Sequence, residues 1–483
     1  MSEVLRAIAA HAREQGDAPA LISDATTLSY RGLCRQVDAL ASDLTAYQGQ
    51  CAGIELDNGF AWVLLDLACI KAGIVTVPLP AFFTTAQRQH ALRSAGASLL
   101  FSHKPGGPTS VPAGNGHVIT IHILDNPDVE LPVATSKITY TSGTTGEPKG
   151  VCLSQAGMEQ VAASLMSVIG PQAAEKTAAV LPLAVLLENI AGCYATLLAG
   201  GCYDVQPQTK IGFNQGMIPN FVQLHHYLRE SAARSCILVP ELLRGLIQVI
   251  AQGGQGLAEM RFIAVGGSRV SASLLQQAEQ LGLPVYQGYG LSEAASVMSV
   301  NTPTANRCGT VGKLLPHVDI HLAGDGEIWV RTPGFLGYVG ESLTDDVYPT
   351  GDIGALDAQG FLHITGRKKN IIINAMGRNI APEWPESELL AQPQIAQAVV
   401  FGDAEAGLSA LLVPSAPTVD AVQLNEAIAR ANQALPEYAQ VRYWQISPPF
   451  TVANKQLTGT GRPRRAAILE AYQTPLNNMY SVA

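Results

Sequence analysis

The segment Thr139-Tyr-Thr141-Ser142-Gly143-Thr144-Thr145-Gly146-Glu-Pro-Lys149-Gly150 gathers hydroxyls, glycines and one lysine in a short run. Small hydroxyl residues and glycines leave backbone N–H groups free to wrap phosphate oxygens, and a lysine supplies a point charge. The spacing is not that of a Walker loop, because Pro148 precedes Lys149 and Gly150 stands where Ser or Thr should follow. The run is therefore read as a phosphate-binding loop, set between a strand at Ile138-Thr-Tyr-Thr141 and a helix. That helix shows its apolar positions Met158, Val161, Ala162, Leu165 and Val168 at helical spacing.

A second cluster follows the same plan. Arg261-Phe-Ile-Ala-Val265 reads as a strand, Gly266-Gly267-Ser268 as its turn, Ser271 to Leu281 as a helix and Pro284-Val-Tyr-Gln287 as the next strand. Open α/β sheets bind ligands at such carboxyl ends of strands.

Further segments in order complete a pattern: Tyr286-Gln-Gly288-Tyr289-Gly290-Leu291-Ser292-Glu293, Tyr348-Pro-Thr350-Gly351-Asp352, Gly366-Arg367-Lys-Lys369 and Asn374-Ala-Met-Gly377-Arg-Asn-Ile-Ala-Pro382. From about 135 to 465 the chain resembles the adenylate-forming superfamily of acyl-CoA synthetases, amino-acid adenylation domains and luciferases. Asn379-Ile-Ala-Pro-Glu383 and the C-terminal pattern are nearest its long-chain acyl-CoA synthetase branch.

The resemblance implies roles. Thr141, Ser142, Gly143, Thr144, Thr145, Gly146, Ser268, Gly290, Leu291 and Ser292 would contact ATP or AMP, with Lys149 catalytic. Glu293, with Thr141, would hold magnesium, a hard cation that prefers oxygen ligands. Tyr289 with Gly267 and Gly288 would sandwich adenine, the glycines allowing close approach. Asp352 would accept from the ribose hydroxyls, as an ionised acceptor suits, and Arg367 would contact ribose or phosphate. Lys369 would be a hinge and Gly377 would line a thiol tunnel. Val185, Glu188 and Gly266 would border the acyl pocket.

Two departures from the family pattern matter. The branch's final motif ends in a lysine that reaches the α-phosphate; here Asn454-Lys-Gln-Leu-Thr458-Gly-Thr460-Gly461-Arg462 places Arg462 there. Arginine keeps the charge but is bulkier and planar, leaving three options: slowed adenylation, use of Arg462, or recruitment of Lys455. In Leu181-Pro-Leu-Ala-Val185-Leu-Leu-Glu188, Val185 occupies a position usually aromatic or histidine, which suggests an apolar substrate tail. No aspartate stands where amino-acid adenylation domains place one against an α-ammonium, so amino acids are disfavoured, with Glu188 left as a substitute partner.

The elements that must position these residues fit a chain of 483 residues, roughly three domain-sized units. From 1 to about 130, short apolar runs such as Gly53-Ile-Glu-Leu56 and Ala72-Gly-Ile-Val-Thr-Val-Pro-Leu79 alternate with helical patches, as in βα units of a mostly parallel sheet. Lys104 to Gly116 reads as a surface loop. The alternation continues to about 300, and after Gly309 the chain turns β-rich. Beyond Arg367, strands at Lys369–Asn374, Gln397–Phe401 and Ala410–Pro414 and helices near 383–391 and 420–434 suggest a separate α+β unit. The expected fold is α/β: a large N-terminal domain, 1–366, of stacked αβ subdomains plus a β-rich subdomain, and a small mobile C-terminal domain, 367–483.

A net charge of −9 argues against nucleic acid as partner. The eight cysteines contain no CxxC pair and read as buried thiols. The N-terminus reads as an amphipathic helix without signal-peptide features, so a reduced, cytoplasmic enzyme is expected. Ala178 to Tyr203 is long and apolar, but Pro182, Glu188 and Asn189 make it a buried helix and not a membrane span.

The expected activity is ATP-dependent activation of a fatty or other apolar carboxylic acid to acyl-AMP with release of pyrophosphate. Transfer to a thiol follows, either CoA or the phosphopantetheine of an acyl carrier protein. An acyl-AMP or acyl-carrier ligase and a non-catalytic acyl-adenylate binding protein are the alternatives. A hydrolase is excluded by the lack of a GxSxG elbow.

Overall fold

The computed structural model describes residues 2–481 except 114–115, 142–147, 215–218, 333, 376, 403–404, 406 and 459–460. The architecture is α/β with a large N-terminal domain and a small C-terminal one. Among the described residues the strands form two nine-stranded sheets, a four-stranded sheet and two smaller ones.

The first large sheet is built on a parallel core. Cys51–Glu55 lies between Val75–Pro78 and Leu99–Ser102, and Thr135–Thr141 follows beside Val75–Pro78. The helix Phe60–Ala72 is apolar apart from Asp66 and Lys71 and is buried along nearly its whole length, as a helix packed between layers must be. The second large sheet runs in parallel from Cys202–Asp204 through Lys176–Ala178, Ser235–Leu238 and Phe262–Val265 to Val285–Tyr289. One core, including Trp62, Phe101, Leu153, Tyr203 and Phe262, joins the two sheets.

The three textures read from the sequence do not correspond to three separate units. The N-terminal hairpin Pro19–Ser29 joins the second sheet through Cys202–Asp204. Phe335–Tyr338, from the β-rich stretch, pairs with Lys149–Ser154 of the first. Sheet membership is decided by long-range pairing, which local periodicity does not report.

Several local expectations are corrected. The phosphate-loop segment does not run from a strand into a helix. A further strand, Lys149–Ser154, intervenes and pairs antiparallel with Thr135–Thr141, placing Thr141 opposite Lys149. The helix Gln155–Ile169 begins only after Ser154, whose hydroxyl accepts from the Gly157 N–H as its N-cap. Within 104–116, Thr109–Pro112 forms an edge strand. The 178–203 stretch is a strand end, a loop and a buried π-helical turn, Glu188–Tyr194, that continues into Ala195–Leu198. Lys369–Asn374 is mostly a 3₁₀ turn, Lys368–Asn370, with a strand only at Ile372–Ile373. Of the cysteines, all free, Cys308 is exposed and Cys34 half-buried.

The C-terminal part builds its own core on Ile395–Phe401, Leu408–Pro414 and Val441–Ile446, covered by Glu383–Leu390 and Ala421–Gln433. Its last helix, Arg465–Ser481, is kinked at Tyr472.

Candidate active site

The site lies at the carboxyl end of Phe262–Val265, where Gly267 turns the chain at φ +86°, a left-handed conformation that suits glycine. The next strand ends in Gly288 and Tyr289, bonded antiparallel to Ser299–Val300. A Cβ at Gly290 would run into the Ser296 carbonyl, so that position also requires glycine.

Tyr289 donates its hydroxyl to Asp352 Oδ2 at 2.7 Å. Asp352 and Arg367 are register partners on neighbouring strands of the four-stranded sheet, and Arg367 Nε lies 2.7 Å from Asp352 Oδ1. Asp352 is only 4% exposed; burial raises its pKa, and the Arg367 charge and the Tyr289 hydroxyl oppose that rise. The expected adenine and ribose residues are thus gathered, with a built-in ion pair.

Glu293 sits half-buried on the 3₁₀ turn Ser292–Ala294. Its Oε1 accepts from the Tyr338 hydroxyl at 3.0 Å, and Tyr338 in turn shares a 2.9 Å hydroxyl contact with Tyr348. Phe335 meets both tyrosine rings edge-on, with centroids 5.2 and 5.3 Å away. Burial first, and the Glu293 charge second, raise the Tyr338 pKa, so its hydroxyl stays a donor. Lys149 Nζ lies 4.9 Å above the Tyr338 ring, which brings the lysine of the first motif beside the glutamate of the second. Neither Tyr338 nor its position over Glu293 was legible in the sequence, because Tyr338 arrives through strand pairing from a distant stretch.

Arg462 is delivered to this cluster. Its Nη2 donates to the Gly267 carbonyl at 2.6 Å. Desolvation lowers its pKa, as does nearby Arg367, while Asp352, Glu241 and Glu293 oppose the shift. The turn that carries it is closed by Thr458, whose N–H bonds the Arg462 carbonyl at 2.8 Å and whose hydroxyl accepts from the Arg462 N–H at 3.0 Å. Behind the turn, Arg465 anchors on buried Glu386 at 2.6 Å. Lys455, by contrast, is exposed on a turn at φ +61°, its N–H bonded to the Val452 carbonyl. Between the two basic candidates, Arg462 reaches the cleft.

The remaining expected residues scatter. Ser142, Gly143, Thr144, Thr145 and Gly146 lie outside the described residues. Thr141 ends its strand directly opposite Lys149. Ser268 is exposed beside Gly267, and a Cβ on Gly266 would approach the Gly288 carbonyl to 3.2 Å, so the two glycine segments stack closely. Leu291 and Ser292 lead into the Glu293 turn. Lys369 lies in the 3₁₀ turn between the four-stranded sheet and the C-terminal unit, its pKa lowered by burial and by Arg367. Gly377 sits at φ +69° on an exposed loop whose Ala375 N–H bonds the Glu405 carbonyl. Val185 is half-buried.

Glu188 is a correction. It is fully buried, with Oε2 accepting from the Leu181 N–H at 3.0 Å and Oε1 from the Tyr203 hydroxyl at 2.8 Å. Burial pushes its carboxyl up to about 7. A carboxyl consumed by internal donors is not a partner for a substrate ammonium.

Comparison with known proteins identifies the family and the fold. A family profile described as AMP-binding enzyme matches residues 8–339, and one described as AMP-binding enzyme C-terminal domain matches 369–483. The chain is 27% identical to the long-chain-fatty-acid–CoA ligase FadD15 of Mycobacterium bovis, covering 87% of this chain and 86% of that protein. It is 28% identical to a feruloyl-CoA synthase of Amycolatopsis sp, covering 81% and 84%. Among solved structures, the o-succinylbenzoate CoA synthetase of Bacillus subtilis, bound to its acyl-adenylate intermediate, superposes with a TM-score of 0.77 at 23% identity, over 97% of this chain and 98% of that one. The anthranilate CoA ligase AuaEII superposes at 0.80 with 16% identity, over 98% and 97%.

Proposed function

Given that the chain belongs to the AMP-binding enzyme family, we propose that the cleft around Gly267 activates an apolar carboxylic acid with ATP and that Arg462 serves in place of the family's lysine. The protein is an acid–thiol ligase: it activates a carboxylic acid with ATP to acyl-AMP, then transfers the acyl group to a thiol. The observation that carries the reading of this site is the gathering of Tyr289, Asp352, Arg367 and Glu293, drawn from three stretches, around Arg462 from a fourth, which itself bonds the Gly267 carbonyl.

In the first half-reaction a carboxylate oxygen attacks the α-phosphorus, the bond to the bridging oxygen breaks and pyrophosphate leaves. Little covalent work falls to the protein, so positioning and charge stabilisation dominate. Asp352 and Tyr289 orient the nucleoside, and Arg462 brings a permanent cation to the cleft. Glu293 keeps lone pairs beyond the one bonded by Tyr338. A single carboxylate suits magnesium held mainly by nucleotide phosphates and water, and among the described residues no three His, Cys, Asp or Glu side chains converge to form a protein cage. When bound there, magnesium neutralises phosphate charge. In the second half-reaction the thiol sulfur attacks the acyl carbon, AMP leaves, and the thiol proton passes to solvent.

The CoA-ligase names of the relatives favour CoA over a carrier-protein phosphopantetheine as acceptor. Fatty and aromatic acids both occur in those names, and half-buried aliphatic Val185 favours an apolar acid. The domain boundary is assigned near 366, where the four-stranded sheet ends. Free cysteines favour a reducing, cytoplasmic setting, and among the described residues no helix is long and apolar enough to cross a membrane.

Mass detection of acyl adenylates, after mixing the protein with ATP, magnesium and a panel of fatty, aromatic and amino acids without CoA, tests this. An adenylate with a fatty or aromatic acid is expected. ATP binding with no adenylate from any acid would favour the non-catalytic reading that the Arg462 replacement motivates.

A further inference from the structure

The segment Leu181–Val185 leaves the strand Lys176–Ala178 and, among the described residues, pairs with no strand. Two side chains from distant parts of the chain hold its backbone instead. Asn58, 5% exposed, donates Nδ2 to the Leu181 carbonyl at 3.0 Å and accepts the Leu183 N–H on Oδ1 at 2.7 Å. A side-chain amide making one donor and one acceptor bond to residues two apart imitates a paired strand. Glu188 takes the Leu181 N–H and is itself fixed by Tyr203. Gly192 makes room for it, since a Cβ there would collide with Glu188 Oε1.

Both backbone groups of Leu181 are therefore fixed by side chains. Asn58 follows the strand Cys51–Glu55 of one large sheet, whereas the segment follows Lys176–Ala178 of the other. The clamp thus bridges the two sheets at the carboxyl ends of their strands. Downstream, the Val185 carbonyl accepts from the Glu188 and Asn189 N–H groups at 3.0 and 3.1 Å, so the same carboxylate residue closes the segment at both ends.

We propose that Asn58 and Glu188 are positioning residues for acid selectivity: they fix the backbone that presents Val185 to the acyl pocket. This rests on the reading of Val185 as a pocket residue. A buried backbone group left without its partner is strongly penalised, so the segment moves to satisfy it, and a misplacement of about 1 Å can change rates by about 10²-fold.

The test measures kcat/KM for octanoic, hexadecanoic and benzoic acids, together with the KM for ATP and thermal stability, in the wild type, N58A, E188Q and V185A. The clamp predicts that N58A changes the ratio among acids by about tenfold, the size of effect a small pocket change produces, with the KM for ATP unchanged. E188Q, which keeps one acceptor, should change it less. N58A combined with V185A should shift selectivity no further than V185A alone. If N58A does not fold, N58D carries the test, keeping the acceptor for Leu183 while losing the donor to Leu181. Folded N58A or N58D with unchanged acid ratios, beside a V185A that shifts them, overturns the clamp. A V185A with unchanged ratios, beside an N58A that shifts them, overturns the Val185 reading alone and leaves the clamp acting through another side chain of the segment. Unchanged ratios in both remove both.

Discussion

At the residue scale the proposed service of Arg462 in place of the family's lysine is the most consequential feature. Arg462 and Lys455 are both exposed, but the Arg462 guanidinium bonds the Gly267 carbonyl, whereas the Lys455 turn bonds its own Val452 carbonyl. Arg462→Ala should reduce pyrophosphate release by about 10²–10³-fold, the usual cost of removing one preorganised charge-stabilising group. Arg462→Lys should retain part of the rate and Lys455→Ala nearly all. A Lys455→Ala loss equal to that of Arg462→Ala would reverse the assignment. Glu293→Gln should depress magnesium-dependent adenylation, whereas Tyr338→Phe, which frees a lone pair of Glu293 but removes its anchor, should act mainly by raising the magnesium concentration needed for half-maximal rate. Titrating magnesium against each variant separates the two. Arg462, Glu293, Tyr289 and Asp352 were legible in the sequence because each belongs to a contiguous motif. Tyr338 and Asn58 were not, since their partners lie 45 and more than 120 residues away.

At the element scale, buried charge ties the first sheet together. Lys137, on the strand that leads to Thr141, is 1% exposed and lies 2.7 Å from equally buried Asp66 on the helix Phe60–Ala72. Asn189 and Tyr194 of the π-helical turn complete the set, with Tyr194 donating to Asp66 at 2.6 Å. Removing one ion strands the other, so Lys137→Met should cost about 3–5 kcal/mol, and adding Asp66→Asn should recover part of it. Equilibrium urea unfolding checks this, and simple additivity would show the two charges to be uncoupled. In the same turn, Glu188 titrates near 7 against an ordinary 4.5. Its folded pKa is raised, so its contribution to stability is present below about 4.5 and is lost as the pH rises through 7, by about 3 kcal/mol at most. Glu188→Gln should therefore gain stability relative to the wild type from pH 5 to pH 8; a constant difference in melting temperature would contradict it. Strand and helix positions here were largely readable from periodicity. The strand Lys149–Ser154 was missed because the loop's glycines and the following helix masked a short run of β-branched and apolar residues, and the π-helical turn has no sequence signal distinct from a buried helix.

At the scale of the whole molecule the proposed roles would make this the arrangement for the first half-reaction, since Arg462 bonds the Gly267 carbonyl while the Gly377 loop bonds the Glu405 carbonyl of its own unit. Side chains of the large part grip the small one directly. Arg244 donates to the Leu390 and Ile395 carbonyls, Arg269 lies over the Trp384 ring at 5.7 Å, and Ser273 bonds Glu388. With Lys369 in the proposed hinge role, thiol transfer would need these contacts to break and the Lys368–Asn370 turn to rotate, a hinge motion concentrated in few residues. Lys368, paired with Asp325 at 2.6 Å and Glu327 at 2.9 Å, anchors the turn on the large side, and Asn370, bonded to Glu383 at 2.6 Å, on the small side. Lys369 lies between those anchors. Lys369→Pro fixes its φ and restricts Lys368 as well, so the single-turnover burst of acyl adenylate should persist while thioester turnover falls about tenfold or more. Arg244→Ala should do the opposite. With the grip on the Glu383–Leu390 helix loosened, adenylation should slow while thioester formation from a supplied acyl adenylate is spared. Measured together, the two variants must move the half-reactions in opposite directions, because one impairs leaving this arrangement and the other impairs reaching it. An equal loss of both half-reactions in Lys369→Pro would place the pivot elsewhere in the chain.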